Sequence, residues 1–224
     1  MRSPWAREYL RTPKRYIWGT EPSSFACRVA PLLPAGGRIL DLGCGEGRDS
    51  VFFAAEGFEV MAVDASRAGI AKARRLAEAR GVSVHWLIGD MVRVAYPGSF
   101  DIVYSCGAIH YLRRQIRVRF LSRLQSLTRP GGLHAHVVFT DREVYVEKGE
   151  VIDYFVPGEL AEAYPHWLIL YRHEGRISCA QDGTRHHHSV ESFIARAPAP
   201  VRTHGAEPPA KEQIPCGDGS ERSC

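Results

Sequence analysis

Residues 39–50 read ILDLGCGEGRDS, a short apolar run that ends near an aspartate and passes into three glycines spaced G-x-G-x-G. The apolar run predicts a strand, and the residues after the glycines predict a helix. Glycine permits a sharp turn and lets the backbone approach a ligand where a Cβ atom would collide. In open α/β sheets nucleotides bind at the carboxyl ends of such strands. The stretch therefore predicts an α/β fold with a nucleotide site, with an ordinary glycine-rich turn as the alternative.

Strands and helices continue to alternate after this turn. The predicted strands are FEVMAVDA (58–65), VHWLIGDM (84–91) and FDIVYSCG (100–107), and the predicted helices are GRDSVFFAAEG (47–57), SRAGIAKARRLAEARG (66–81) and IHYLRRQIRVRFLSRLQSL (109–127). Alternation of this kind predicts a parallel sheet covered by helices on both faces.

The helix over 109–127 shows helical spacing of apolar residues. A core-facing stripe is expected at Leu112, Ile116, Phe120, Leu124 and Leu127. A basic, solvent-facing side is expected at Arg113, Arg114, Arg117 and Arg123.

The last third of the chain predicts a different arrangement. RPGG (129–132) ends the helix, His134–Phe139 forms a strand, and 154–165 forms a loop with a short helix. Two further strands, at 166–181 and 184–197, are joined by Asp182-Gly183, a dipeptide suited to a tight hairpin turn. The predicted fold class is α/β, a Rossmann-like doubly wound sheet, mostly parallel, with an antiparallel C-terminal hairpin.

Composition favours a soluble cytoplasmic protein. Hydrophobic residues make up 45% and charged residues 24% of the 224 residues, and no apolar run approaches the length of a membrane span. We expect an N-terminal lid segment at 1–30, a main domain at 31–197, and a disordered proline-rich tail at 198–224. The six cysteines form no C-x-x-C pair, so thiols are expected. A net charge of +4 leaves nucleic-acid binding as a weaker alternative.

Acidic residues also stand at the ends of the second and third predicted strands. Asp64 could accept hydrogen bonds from ribose hydroxyls, and Gly89-Asp90-Met91 offers an acceptor and apolar cover for a base. Together with the glycine-rich turn this order resembles the class I S-adenosylmethionine-dependent methyltransferases over roughly residues 16 to 196. For each acid alone, a helix cap or a surface charge is the alternative.

A narrower resemblance is to the tellurite-resistance methyltransferase family and its thiopurine-like relatives. It is carried by YIWGTEPSSF (16–25), DIVYSCGAIHYL (101–112), RPGG and the closing DGTRHHHSVESFIARAP (182–198). The resemblance implies S-adenosyl-L-methionine as the cofactor and a lid over it that contains Tyr16 and Trp18. It further implies these cofactor contacts: Asp41 with the ammonium, Gly43 and Gly45 with the methionine portion, Asp64 and Ala65 at the ribose, Asp90 and Met91 at the adenine, and Ser105 and Cys106 along the fourth strand.

Acceptor residues are expected in two places. His110 and Tyr111 follow the fourth strand, where a base or an orienting group would act, with a polar helix start as the alternative. In the final strand His186 and His188 share one face because side chains alternate, and Arg185 could clamp an anion. Solvent-facing strand residues are the alternative. Two imidazoles fall short of a closed zinc site, so no metal is expected.

These expectations favour methyl transfer to a small anionic or soft acceptor, namely a thiol, oxyanion, amine or carboxylate. A monomer or homodimer with a small-molecule substrate and no membrane partner is expected. Two alternatives remain. One is S-adenosylmethionine-dependent aminocarboxypropyl transfer or cyclisation, and the other is a non-catalytic nucleotide- or RNA-binding module.

Overall fold

Alternation of strands and helices along the chain produces one seven-stranded sheet in the computed structural model, which describes residues 5–146, 152–181 and 183–199. The strands are β1 Arg38–Leu42, β2 Glu59–Asp64, β3 His85–Ile88, β4 Phe100–Cys106, β5 Thr128–Phe139, β6 Leu168–Cys179 and β7 His186–Arg196. The helices are α1 Trp5–Arg11, α2 Ser24–Val29, α3 Arg48–Ala55, α4 Arg67–Ala79, α5 Arg114–Ser126 and α6 Glu159–Glu162, with short 3-10 turns at Ala30–Leu32 and Ile109–Tyr111.

The order across the sheet is β3-β2-β1-β4-β5-β7-β6. Strands β1 to β5 run parallel, and β7 runs antiparallel to both of its neighbours, β5 and β6. This confirms the predicted Rossmann-like sheet with an antiparallel C-terminal hairpin. From β1 the strand order first runs outward on one side through β2 and β3, and β4 then pairs with the other side of β1. At such a reversal of strand order a crevice opens at the carboxyl ends of the two strands, here β1 and β4.

Alternating side chains of the central strands build two apolar layers. Leu40 and Leu42 face the layer that contains α5 and α6, whereas Ile39 faces the layer that contains α2 and α3. All three are fully buried, as expected for a central parallel strand covered on both faces. The two layers therefore fix β1, and with it the glycine-rich turn, in the middle of the molecule.

The predicted faces of α5 were wrong at two positions. Ile116 is 39% exposed, whereas Arg117, expected in solvent, is 1% exposed. The Arg117 guanidinium donates hydrogen bonds to the carbonyl oxygens of Leu112 and Tyr154, and it pairs with Glu159 at 3.0 Å. Helical spacing alone did not reveal this, because the partners that permit burial of a charge lie on a distant segment.

Three boundaries also differ from the predictions. The helix predicted over 109–127 is a 3-10 turn at Ile109–Tyr111 followed by α5, which begins at Arg114. Strand β5 pairs with β4 from Thr128 rather than from His134, and a register shift opposite 100–102 accommodates the Pro-Gly-Gly segment. The β6–β7 ladder ends at Cys179 and His186, short of the strand ends predicted at 181 and 184. Gly183 has φ +94°, whereas Asp182 and the predicted tail from 200 onward lie outside the described residues.

Within the described ranges, none of the helices combines the length and apolar character that crossing a bilayer requires.

Candidate active site

A cavity of about 1250 Å³, a volume that includes solvent at its mouth, lies at the carboxyl ends of β1, β2 and β4. Ten of the residues predicted for the site line it, namely Trp18, Asp41, Gly43, Gly45, Asp64, Ala65, Asp90, Met91, Cys106 and Tyr111. Five others are placed otherwise: Ser105 and His110 are fully buried behind the wall, Arg185 is exposed, and His186 and His188 are buried in the hairpin next to it.

The glycine-rich turn forms the floor of the cavity. Gly43 and Gly45 both have positive φ angles, +70° and +55°, which other residues rarely adopt. A Cβ atom on Gly43 would lie 2.3 Å from the Cβ of Ala108, and one on Gly45 would lie 2.8 Å from the Tyr9 hydroxyl. Glycine is therefore required at Gly43 to bring the turn against the loop after β4, and Gly45 leaves space beneath Tyr9.

Asp41, near the end of β1, is a buried carboxyl in the cavity wall. Its Oδ2 accepts a hydrogen bond of 2.5 Å from the Ser50 hydroxyl, and its side chain is 3% exposed. Burial foremost, together with the nearby charges of Asp49 and Asp64, raises the pKa of Asp41 from 3.8 to about 7, and the hydrogen bond from Ser50 opposes this rise. A cationic ligand would stabilise the ionised form of this buried carboxyl, because its positive charge offsets the free-energy cost of ionisation.

Asp64, at the end of β2, holds the glycine-rich turn from the other side. Its two oxygens accept hydrogen bonds from the backbone N–H groups of Gly45 at 2.9 Å and Ser66 at 2.7 Å. Burial raises the pKa of Asp64, and these two hydrogen bonds oppose the rise. Each carboxylate oxygen has a further lone pair, so the side chain retains capacity to accept from ligand hydroxyls.

A buried ion pair fastens the N-terminal segment to this turn. Glu46 lies 2.5 Å from the ammonium of Lys72, and both side chains are at most 2% exposed. The second oxygen of Glu46 accepts hydrogen bonds from the backbone N–H groups of Ile17 at 2.7 Å and Trp18 at 3.1 Å. Lys72 also donates to the carbonyl oxygen of Arg15 at 2.8 Å. The pair therefore couples the position of the N-terminal segment to the cavity floor.

Asp49, in the first turn of α3, makes a second connection to the N-terminal segment. It accepts hydrogen bonds from both the backbone N–H and the hydroxyl of Ser23, at 2.7 and 2.8 Å, and from the Tyr104 hydroxyl at 2.7 Å. Ser23 in turn caps α2 by accepting a hydrogen bond from Ala26 N–H. Two acids of the GEGRD run, Glu46 and Asp49, thus bind the N-terminal segment on both sides of residue 20 to the glycine-rich end of the cavity.

Aromatic side chains from the N-terminal segment cover the cavity. Trp5, Tyr9 and Trp18 all line it, and the two indole rings pack edge to face with centroids 4.6 Å apart. The Trp5 indole N–H donates to the Tyr111 hydroxyl at 2.8 Å, and the Trp18 indole N–H donates to the Tyr9 hydroxyl at 3.1 Å. Trp18 was predicted in this cover, whereas Tyr16 instead donates to the carbonyl oxygen of Lys72 outside the cavity.

The far end of the cavity is mostly apolar. It is lined by Tyr111, Val137, Phe139, Ile177 and Cys179. His110 lies behind this wall, where its Nδ1 accepts a hydrogen bond from the backbone N–H of Phe139 at 3.4 Å. Burial, and then the charges of His188 and Arg117, hold the pKa of His110 well below 6.5. Its lone-pair nitrogen is therefore directed at the backbone and not at a ligand in the cavity.

Strand alternation places the histidine run as predicted. His186 and His188 are buried on one face of β7, and His187 lies on the other, half-buried. Their Nε2 atoms are 3.0 Å apart, and Cys179 stands opposite His186 in the ladder. The side chain of Cys179 reaches the cavity wall, whereas Arg185 lies at the exposed end of the connection.

Several cavity residues were missed from the sequence. Glu46 and Asp49 stood inside the quoted motif and carried a signal, since two acids follow the glycines directly. Trp5 and Tyr9 carried none, because nothing local relates them to a turn more than thirty residues away. Tyr104 and Phe139 were assigned to strands but not to the cavity, because the twist of the sheet decides which side chains of a strand face the crevice.

Comparison with known proteins agrees with this geometry. A family model described as "Methyltransferase domain" matches residues 39–132. A putative methyltransferase of Geobacillus sp. is 39% identical over 98 residues, which are 43% of this chain and 40% of the relative. The probable S-adenosyl-L-methionine-dependent methyltransferase TehB of Haemophilus influenzae is 24% identical over 137 residues, 61% of this chain and 48% of the relative. A protein named Hemagglutinin 1 from Eikenella corrodens is 27% identical over 152 residues, 68% of this chain and 51% of the relative. The chain spans about half or less of the length of these relatives.

Solved structures share the fold. The crystal structure of TehB from Haemophilus influenzae superposes with a TM-score of 0.71 at 21% identity, covering 83% of this chain and 65% of TehB. The N-methyltransferase NodS from Bradyrhizobium japonicum, in complex with S-adenosyl-l-homocysteine, gives a TM-score of 0.68 at 14% identity, covering 88% of this chain and all of NodS at 100%. Residues 39–132 therefore match a methyltransferase domain, and the fold of the chain resembles that of TehB.

Proposed function

We propose that this protein binds S-adenosyl-L-methionine in the cavity and transfers its methyl group to a small, anionic or soft acceptor. The observation that carries the proposal is Asp41, a buried carboxyl whose pKa is raised to about 7 within reach of a ligand. Further carboxylates line the same cavity, namely Glu46, Asp49, Asp64 and Asp90. An excess of negative charge in a concave site favours a ligand that carries an ammonium and a sulfonium.

The residues present fit this cofactor. Asp41 would pair with the ammonium, Gly43 and Gly45 would leave space for the methionine portion, and Asp64 would accept hydrogen bonds from the ribose. Asp90 and Met91, after β3, would contact the adenine. A Cβ atom on Gly43 would collide with the side chain of Ala108, so glycine at this position lets the loop after β4 approach the turn.

When bound, S-adenosylmethionine supplies a methyl group that is already activated by its sulfonium charge. The protein therefore mainly has to hold an acceptor in line with that group and exclude water. Trp5, Tyr9 and Trp18 cover the cavity, and Phe139 and Ile177 make its far end apolar. Tyr111 lies at that end with its hydroxyl fixed by the Trp5 indole, so it can orient an acceptor.

The acceptor is small, because the cavity is bounded by the N-terminal aromatic residues on one side and by the β6–β7 hairpin on the other. A soft acceptor is supported by the thiol of Cys179, which lines the far end of the cavity. Transfer of the aminocarboxypropyl group would use the same cofactor contacts and would leave methylthioadenosine in place of S-adenosylhomocysteine.

Calorimetric titration with S-adenosylmethionine and S-adenosylhomocysteine tests the cofactor assignment. Gly45→Val and Asp64→Ala should weaken binding of both ligands by at least about tenfold, through collision with Tyr9 and loss of turn and ribose contacts. Gly57→Val is the matched control, because Gly57 also has positive φ, +87°, but no atom within 4 Å of an added Cβ. The assignment is wrong if wild type binds neither ligand, or if Gly45→Val and Gly57→Val bind equally well.

The transferred group is then identified with labelled cofactor and a panel of thiols, oxyanions, amines and carboxylates. Formation of S-adenosylhomocysteine with a methylated acceptor supports methyl transfer. Formation of methylthioadenosine identifies the aminocarboxypropyl alternative. Strongly salt-dependent RNA binding without cofactor binding would instead favour the non-catalytic alternative.

A further inference from the structure

The β6–β7 hairpin brings three metal-binding side chains together beside the cavity. Cys179, His186 and His188 each offer one ligand atom, and these atoms all lie within 4.8 Å of one another. The three side chains are at most 8% exposed. Cys179 pairs with His186 across the ladder, and His188 follows on the same face. A cluster of one thiol and two imidazoles is a typical ligand set for zinc in proteins.

His186 is oriented as a metal ligand would be. Its Nδ1 is 2.7 Å from the carbonyl oxygen of Thr184, and since a carbonyl only accepts, Nδ1 must carry the hydrogen. In the tautomer with the hydrogen on Nδ1, the lone pair lies on Nε2, which faces Nε2 of His188. A backbone carbonyl that fixes the tautomer in this way is a common outer contact of metal-bound histidines.

Stacked aromatic rings hold both imidazoles in place. Tyr145 lies on His186 with ring centroids 3.6 Å apart and planes within 3° of parallel. Phe139 lies on His188 with centroids 4.0 Å apart and planes 18° from parallel. Restricting the rings before a metal arrives reduces the entropy cost of binding.

We propose that Cys179, His186 and His188 bind one zinc ion. In the structure the two Nε2 atoms are 3.0 Å apart, so a single hydrogen lies between them. Zinc–nitrogen bonds of about 2.0–2.1 Å and tetrahedral angles place two ligand nitrogens about 3.3 Å apart. The pair therefore needs to open by only a few tenths of an ångström, with the hydrogen of His188 moving to its Nδ1.

Three protein ligands leave one zinc position for another molecule. Closed structural sites use four protein ligands, whereas sites with three keep a fourth position for water or substrate. Cys179 also lines the cavity, so the fourth position faces its far end. A thiolate is the acceptor that this position would select, because zinc favours sulfur and lowers the pKa of a bound thiol. This assignment of the acceptor class rests on the proposed function, whereas the metal site does not.

Zinc titration of the full chain, prepared without a histidine tag, tests the site. Wild type should bind one zinc per chain, and cobalt in its place should give the charge-transfer absorption of a thiolate ligand. Cys179→Ser and His186→Gln should each weaken binding by more than about 100-fold, because removal of outer contacts alone costs 10–100-fold. His187→Ala is the matched control, since His187 lies on the opposite face of the same strand. Absent zinc binding, or equal loss in all three variants, would overturn the proposal.

A second measurement avoids dependence on the variants. Zinc should slow alkylation of Cys179 in wild type, measured by peptide mass, and leave alkylation of the exposed Cys27 unchanged. Equal alkylation of Cys179 with and without zinc would refute the site even if a variant failed to fold.

Addition of 2-mercaptoethanol to the cobalt-loaded chain tests the open position. An increase in the charge-transfer absorption indicates a second sulfur on the metal, and no change refutes thiol binding there. The same preparation is titrated with S-adenosylmethionine. Zinc binding without cofactor binding would leave the metal site intact and remove the proposed function, so the two failures are distinguishable.

Discussion

Cofactor binding at Asp41 should release a proton below neutral pH. The pKa of the free Asp41 carboxyl is raised to about 7, first by burial and then by the charges of Asp49 and Asp64. A bound ammonium stabilises the ionised carboxylate, so its pKa falls on binding. Below about pH 7 the free site must therefore lose a proton before the pair can form.

The size of the effect follows from linkage. Below the pKa of the free carboxyl, affinity falls about tenfold for each pH unit. Between about pH 7.5 and pH 5 the dissociation constant for S-adenosylmethionine should rise by about 100-fold, equivalent to about 3 kcal/mol. Near pH 8 the amino group of the ligand begins to lose its own charge, so the tightest binding is expected between about pH 7 and 8.

Calorimetric titration across this range, in buffers of different ionisation enthalpy, measures both the affinity and the proton released. Methylthioadenosine is the matched control ligand, because it keeps the adenosine but lacks the ammonium. Its affinity should not show this dependence. Asp41→Asn should flatten the profile for S-adenosylmethionine, because asparagine does not titrate. A dissociation constant that is unchanged between pH 7.5 and 5, or one that changes equally for both ligands, would refute the reasoning.

The same pKa has a consequence for stability without ligand. Because the folded pKa of Asp41 lies above its ordinary value of 3.8, the folded chain binds more protons than the unfolded chain between about pH 4 and 7. Stability therefore falls as pH rises through that window. Asp41→Asn avoids this loss and should be more stable than wild type at pH 8, by up to about 4 kcal/mol, and about equal to it near pH 4. Urea unfolding at the two pH values measures the difference, and a less stable variant at pH 8 would contradict it.

Three further substitutions test the structure around the cavity. Gly43→Ala should abolish cofactor binding and lower the midpoint of thermal unfolding, whereas Gly57→Ala, with open space around it, should leave binding unchanged. Equal cofactor binding by the two variants would contradict the close contact between Gly43 and Ala108. Glu46→Gln leaves Lys72 buried without its counter-ion and should cost about 3–5 kcal/mol in urea unfolding, and Lys72→Met added to it should recover part of that loss. Arg117→Leu should destabilise by about 2 kcal/mol or more in the same assay, and a neutral effect would show that its hydrogen bonds contribute little.

Local patterns were sufficient to predict the order of elements in the sheet. The apolar run at 39–42 and the glycines after it form β1 and its turn because both depend on neighbours in sequence. Asp41 and Asp64 were predicted at the cavity because the carboxyl ends of parallel strands meet at one edge. Strand alternation likewise placed His186 and His188 on one face.

Side chains whose environment is set by distant segments were not predictable in this way. Arg117 is buried because Glu159 and backbone carbonyls surround it, and helical spacing contains no information about them. Trp5 is held at the cavity by a hydrogen bond that its indole N–H donates to the hydroxyl of Tyr111, a residue 106 positions away. Such contacts follow from how layers pack, and no local preference specifies them.

The sequence by itself determined the class of fold and the glycine-rich end of the cavity, because periodicity, glycine and strand-terminal acids act locally. Only the tertiary structure decided the cover of the cavity, through Glu46 and Asp49, and the far end, through the register of β6 on β7. That register places Cys179 opposite His186, since each residue of slip would carry the thiol to the other face. The far end of the cavity therefore depends on long-range strand pairing, for which the chain has no local signal.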